Sequence, residues 1–152
     1  MAKAYFSAIL PHDAATTWAA IRSFHDYAWA GVKAPVTIED DRSPTDIGAV
    51  RSFEGPNGRV RQVLLAHSDD DRCYSYAFVS AAPMGMRSFR STIRVAPVTE
   101  SDACFVEWSA EFDAGDGGEA TARRLERDGF AVWIGALGSC LDQATPPVAP
   151  GS

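Results

Sequence analysis

Apolar and polar residues alternate along most of this chain, and the alternation gives way to helical spacing at two places. Residues 4–10 read as a strand that Pro11 breaks, and Asp13 is a residue type that caps helix N-termini. A helix is predicted over 14–24, with Ala15, Trp18, Ala19 and Ile21 or Arg22 as its apolar stripe. Residues 25–35, with Tyr27, Trp29 and Gly31, read as a short helix or an ordered loop. Strands are predicted over 36–41, 47–54 and 60–67, the last two joined by the turn Gly55-Pro56-Asn57-Gly58. Asp69, Asp70 and Asp71 turn the chain into a strand over 73–80. Pro83 interrupts, and further strands are predicted over 87–95 and 103–113. Gly115, Gly117 and Gly118 form a joint into a long amphipathic helix over 119–142, about 35 Å long for its roughly 23 residues. Residues 144–152 read as a flexible tail. Residues 1–143 read as one domain without internal repeats.

Strand alternation assigns faces. Trp108, Ala110 and Phe112 share one face of their strand, and Glu107, Ser109 and Glu111 share the other. Tyr74, Tyr76 and Phe78 share a face, as do Ile47, Ala49, Arg51 and Phe53. Arg51 therefore travels with apolar residues, and a charge placed inward needs a partner. The next strand offers Val60, Gln62 and Leu64, so Gln62 can give Arg51 a hydrogen bond but no counter-charge. On the last helix, Leu125, Val132, Ala136 and Cys140 recur near helical spacing, with Gly129, Trp133 and Leu137 adjacent. One long helix covers one face of a curved sheet without filling its concavity, so a cavity lined by aromatics is expected.

Composition narrows the classes. The 152 residues carry a formal net charge of −6, which argues against nucleic acid as a partner. Hydrophobic residues make up 46 %, an ordinary globular value, and no apolar run is long enough to span a membrane. No leader pattern is seen, so a cytoplasmic location is expected. Cys73, Cys104 and Cys140 are odd in number and far apart, which favours free thiols. With His12, His25 and His67 equally scattered, no zinc pattern appears. The acidic clusters at 39–41 and 69–71 lack the spaced oxygen ligands of a calcium loop. No metal site is expected.

Several motifs, each weak alone, occur in a recognisable order. They are Pro11-His12-Asp13 with Trp18 in the following helix, a Gly-x-x-Arg at Gly48 and Arg51, and Arg61 to Arg72 preceding Tyr74 and Tyr76. Pro83 before Arg87 and Phe89, Trp108 in the last strand, and Gly135 to Leu137 in the last helix complete the set. In this order the chain resembles the START-like, or SRPBCC, superfamily in its polyketide cyclase/dehydrase branch, over almost its whole length. The resemblance implies an α+β helix-grip fold: a curved antiparallel sheet of about seven strands wrapped around a long C-terminal helix, with a ligand cavity. Many members have Glu where this chain has Gln62 and Tyr where it has Phe89, so this interior is less charged and more apolar.

The resemblance implies a hydrophobic or aromatic small-molecule partner. The leading expectation is a cofactor-independent cyclase or dehydratase of secondary metabolism. Arg51 would stabilise oxyanion character and Tyr76 would move a proton. Trp29, Phe53, Gln62, Phe78, Met86, Phe89, Trp108, Val132, Trp133 and Ala136 would bind substrate, Trp29 near the mouth. The alternative is a non-catalytic carrier or sensor. A third reading is a groove that receives a partner chain. Either a monomer or a homodimer fits.

Overall fold

The computed structural model describes residues 1–79 and 82–144. Seven strands form one antiparallel sheet: β1 (Ala2–Leu10), β2 (Thr37–Ile38), β3 (Val50–Gly55), β4 (Gly58–Ser68), β5 (Cys73–Phe78), β6 (Ser88–Pro97) and β7 (Cys104–Asp113). Their order is β1-β7-β6-β5-β4-β3-β2. The first and last strands of the sequence thus pair at one end, from Ala2 opposite Phe112 to Leu10 opposite Cys104. β3 and β4 turn at residues 56–57 as the Gly55-Pro56-Asn57-Gly58 signal predicts. Residue 80 of the strand expected over 73–80, and the tail expected at 144–152 apart from residue 144, lie outside the described residues.

Asp13 caps α1 (Ala14–Ile21), its Oδ2 accepting from the Thr16 N–H at 3.2 Å. The buried face of α1 is Ala14, Thr17, Trp18 and Ile21, so Ala15 and Ala19 fall outside it. Asp69 locks this helix to the turn after β4. It accepts from Trp18 Nε1 at 2.9 Å, from Arg22 Nε and Nη2 at 3.0 Å each, and meets His67 Nε2 at 3.1 Å. Arg22 first, then Trp18, holds the Asp69 carboxyl well below the usual carboxylate range.

The C-terminal rod is α2 (Gly118–Arg124), a π-helical turn (Leu125–Phe130) and α3 (Ala131–Ala144), continuous in helical backbone conformation. It follows β1 closely: Gly118 lies against Ala2, Glu126 Oε2 accepts from the Tyr5 N–H at 2.9 Å, and Gly138 lies against Leu10. Glu126 thereby occupies a backbone donor on the open edge of the sheet, where unpaired strands invite aggregation.

The π-helical turn corrects the expected face of the rod. Its i→i+5 bonding adds one residue to the turn and advances the inward register by one position. Instead of Val132, Ala136 and Cys140, the residues buried after Leu125 are Gly129, Phe130, Ile134, Leu137 and Leu141. Val132 is 55 % exposed and Cys140 is exposed, while Ala136 is half-buried. Val132 therefore stands outside the concave face, and Ala136 lies beside the inward line rather than on it.

Five strands bury apolar residues of one parity on the concave side: Ala4 and Leu10 in β1; Leu64 in β4; Tyr74 and Tyr76 in β5; Ile93 and Val95 in β6; Val106, Trp108, Ala110 and Phe112 in β7. Fully burying one such side chain stabilises by roughly 1.5–3 kcal/mol. Among the described residues the three cysteines are free thiols, and Cys104 Sγ contacts Thr17 Oγ1 at 3.3 Å. No helix among the described residues is long and apolar enough to cross a membrane.

Candidate functional site

The site is built around Arg51. Gly48 adopts φ +92°, a conformation only glycine takes without strain, and a Cβ there would lie 3.2 Å from the Arg42 guanidinium. The Gly48 N–H donates to Leu64 O, and the Leu64 N–H donates to Ala49 O, each at 2.8 Å. This turn delivers the chain into β3 with Ala49, Arg51 and Phe53 buried, which is the physical content of the Gly-x-x-Arg spacing.

Arg51 has no exposed surface. Its Nε donates to Gln62 Oε1 at 2.7 Å and its Nη1 donates to the Phe24 carbonyl at 3.1 Å. The guanidinium carbon lies 4.1 Å from the Phe24 ring centre, 3.8 Å from that of Tyr27 and 5.0 Å from that of Tyr76. Aromatic faces partly offset the charge. Nη2 has no hydrogen-bond partner among the described residues, and neither have Tyr74 Oη and Trp29 Nε1. Among the described residues the buried polar and charged side chains are Thr17, Arg51, Ser52, Gln62, Ser75 and Ser91, so none of those residues buries a carboxylate with the guanidinium.

Tyrosine hydroxyls surround this charge. Burial pushes Tyr27, Tyr74 and Tyr76 above the ordinary phenol value, and Arg51 opposes the shift in each. All three therefore hold their protons at neutral pH and can donate.

A second aromatic group lies toward the rod. Trp108 stacks on Phe130 at 5.3 Å with planes 11° apart, and Trp133 and Trp29 lie 5.2 and 5.8 Å from Trp108. Trp108 Nε1 donates to Ser91 Oγ at 2.8 Å, and Ser91 donates onward to the Ser109 carbonyl. Trp133 folds back over Gly129, where a Cβ would sit 3.1 Å from the indole.

Open space lies at the mouth of the concave side. One hollow of about 390 Å³ is bounded by the β3–β4 turn, Val60, Phe78, Pro83 and Met84. A second, of about 270 Å³, lies between Met84 and the rod at Leu125, Gly129 and Trp133. Neither reaches Arg51. Behind the first, Phe78 meets Phe89 at 5.1 Å and Phe89 meets Tyr76 at 6.2 Å. Behind the second, Trp133 meets Trp108.

The structure thus groups Arg51 with Gln62 and Tyr76, links Phe89 to Tyr76, Phe78 to Phe89 and Phe53 to Tyr27, buries Met86 in the same core, and joins Trp29, Trp108 and Trp133 on the rod side. Trp29, expected near the mouth, is buried between Tyr27 and Trp108. Val132 is not part of the group. Sequence reasoning missed Phe24, Tyr27 and Phe130, and gave little weight to Tyr74. Phe24, expected at the end of the helix over 14–24, lies beyond α1, which ends at Ile21, and Tyr27 lies in the irregular stretch that follows, so the signal for both was the need of an inward arginine for aromatic or carbonyl partners.

A family model described as polyketide cyclase / dehydrase and lipid transport matches residues 1–136. The chain belongs to this family. No curated protein sequence matches it significantly. Among solved structures, a Thermobifida fusca protein is similar at 24 % identity and a TM-score of 0.82, over 98 % of this chain and 99 % of that one. Norcoclaurine synthase from Thalictrum flavum, solved with dopamine and hydroxybenzaldehyde, is similar at 11 % identity and a TM-score of 0.72, over 95 % and 88 %. The di-domain ARO/CYC protein BexL of the BE-7585A biosynthetic pathway is similar at 13 % identity and a TM-score of 0.78. That match covers 97 % of this chain and 48 % of BexL. At these identities the structural likenesses carry the helix-grip fold, and the family model carries the membership.

Proposed function

We propose that this family member binds a hydrophobic or aromatic small molecule that bears an oxygen acceptor, and that Arg51 anchors that oxygen. The observation that carries this reading is a fully buried guanidinium that has, among the described residues, no buried carboxylate beside it and Nη2 left over. An uncompensated interior charge is costly and favours an occupant that supplies the missing acceptor. The ligand enters at the two hollows, displaces the Phe78–Phe89 and Trp133 rings, and lies along the aromatic wall. The test is native mass spectrometry after incubation with a metabolite extract of the host. A molecule retained unchanged at about one per chain, and lost with Arg51→Met, is the expected result. No retention, or equal retention by a folded Arg51→Met variant, contradicts the reading.

Cofactor-independent cyclisation or dehydration is the second reading. It is favoured by the 5.0 Å approach of Arg51 to the Tyr76 ring and by the protonated state of Tyr76. Arg51 stabilises negative charge developing on a carbonyl oxygen, and Tyr76 donates a proton to it. The same extract distinguishes the two: a metabolite converted to an isomer, or to a product lighter by water, beyond protein stoichiometry establishes turnover.

A further inference from the structure

We infer that this interior reads its ligand through two separate oxygen acceptors, one at Arg51 and Tyr74 and the other at Trp29, and that it rejects cationic ligands. The inference rests on the small-molecule reading above and names the ligand class.

Four buried side-chain atoms among the described residues lack a hydrogen-bond partner: Arg51 Nη2, Tyr74 Oη, Trp29 Nε1 and His67 Nδ1. His67 belongs elsewhere, with its ring against Trp18 and Nε2 on Asp69. The other three belong to one aromatic cluster, in which Tyr27 meets both the Arg51 guanidinium and Trp29 and Phe24 meets both Arg51 and Tyr74, and each carries a proton it can donate. A guanidinium N–H and an indole N–H can only donate, and a phenol can donate. Trp108 shows what the fold does for an indole it satisfies, since Ser91 Oγ accepts from its Nε1 at 2.8 Å. Trp29, 5.8 Å away and 4 % exposed, has no such acceptor. Native interiors rarely leave such donors unpaired, so each is a position where a ligand oxygen gains affinity.

The two acceptor positions adjoin one ring. Tyr27 lies 3.8 Å from the Arg51 guanidinium carbon and 5.5 Å from the Trp29 ring centre. A ligand spanning Tyr27 presents one oxygen to each. Charge sets the rest. Among the described residues no carboxylate is buried with the Arg51 cation, so a second cation meets repulsion in a low dielectric, and an amine finds no acidic acceptor there. The class is an apolar or aromatic body carrying a carboxylate, enolate or phenolate for Arg51 and a neutral carbonyl or ether oxygen for Trp29.

Isothermal titration with three probes of one shape tests this: 1-naphthoate, 4-acetyl-1-naphthoate and 1-naphthylmethylamine. The acetyl compound binds about tenfold tighter than 1-naphthoate, through one added buried hydrogen bond, and the amine does not bind. Trp29→Phe removes the donor and keeps an aromatic ring, so it abolishes the tenfold preference, read as the ratio of the two carboxylate affinities within the variant itself. Should Trp29→Phe fail to fold, benzothienylalanine at position 29 keeps the bicyclic shape without the N–H and reads the same quantity. Equal binding of the two carboxylates, a preference that survives loss of the N–H, or binding of the amine overturns the inference while leaving small-molecule binding intact. Failure of all three probes overturns both.

Discussion

Gln62 accepts from the Arg51 guanidinium at 2.7 Å across the β3–β4 pair, at the place where a carboxylate would have formed an ion pair. A neutral partner orients the guanidinium without neutralising it. Gln62→Glu therefore supplies the counter-charge internally and competes with an anionic ligand. The affinity for 1-naphthoate falls by roughly tenfold or more, about 1.4 kcal/mol. Titration of the two proteins checks this, and unchanged affinity in the Glu variant speaks against an anionic role for the site.

Ser91 holds Trp108 in place. Ser91→Ala leaves a fully buried indole N–H without an acceptor, which costs about 1–3 kcal/mol. For a chain of this size that lowers Tm by roughly 2–4 °C per kcal/mol, read by calorimetry.

Gly129 is a glycine for packing. Exchanging an interior helical glycine for alanine ordinarily stabilises by about 1 kcal/mol. Here the new methyl would sit 3.1 Å from the Trp133 indole. Gly129→Ala yields no gain in Tm and moves Trp133 off Trp108, which changes the near-ultraviolet circular dichroism of the tryptophans. A full gain with an unchanged spectrum contradicts the packing described.

Asp69 predicts an acid limb. Its folded-state carboxyl titrates below the unfolded value, held there first by Arg22. The stabilisation is therefore complete above the unfolded value near pH 4 and is lost as the pH falls through it toward the folded one. Asp69→Asn lowers Tm at pH 7 and flattens the decline below about pH 4. Part of the decline persists, because Asp13, Glu39 and Asp113 are shifted in the same direction. Thermal melts across the acid range measure both slopes.

The sheet was legible because its alternation is regular: Trp108, Ala110 and Phe112 face inward as the period of two requires. Arg51 could be placed inside, and Gln62 beside it, from alternation and adjacent strands alone. The rod was legible in extent but not in face. The extra residue at Leu125–Phe130 leaves no mark in an apolar pattern read at 3.6 residues per turn, so the inward line passes through Ile134, Leu137 and Leu141 rather than Val132, Ala136 and Cys140. The Arg51 surroundings were half legible. Strand residues Tyr74 and Tyr76 follow from period, whereas Phe24 and Tyr27 arrive from a loop whose course only tertiary packing decides. The likeness of Trp29 to a mouth residue was overridden by its burial against Trp108, the two rings tilted by 43°.

The most direct test of the Arg51 account is titration of 1-naphthoate into the wild-type protein and into Arg51→Met, with thermal melts to establish that both are folded. The account predicts saturable binding at about one probe per chain and at least a tenfold loss in the variant, as removal of a charge-assisted hydrogen bond requires. Equal affinity in a folded Arg51→Met protein would show that the buried guanidinium serves the fold alone.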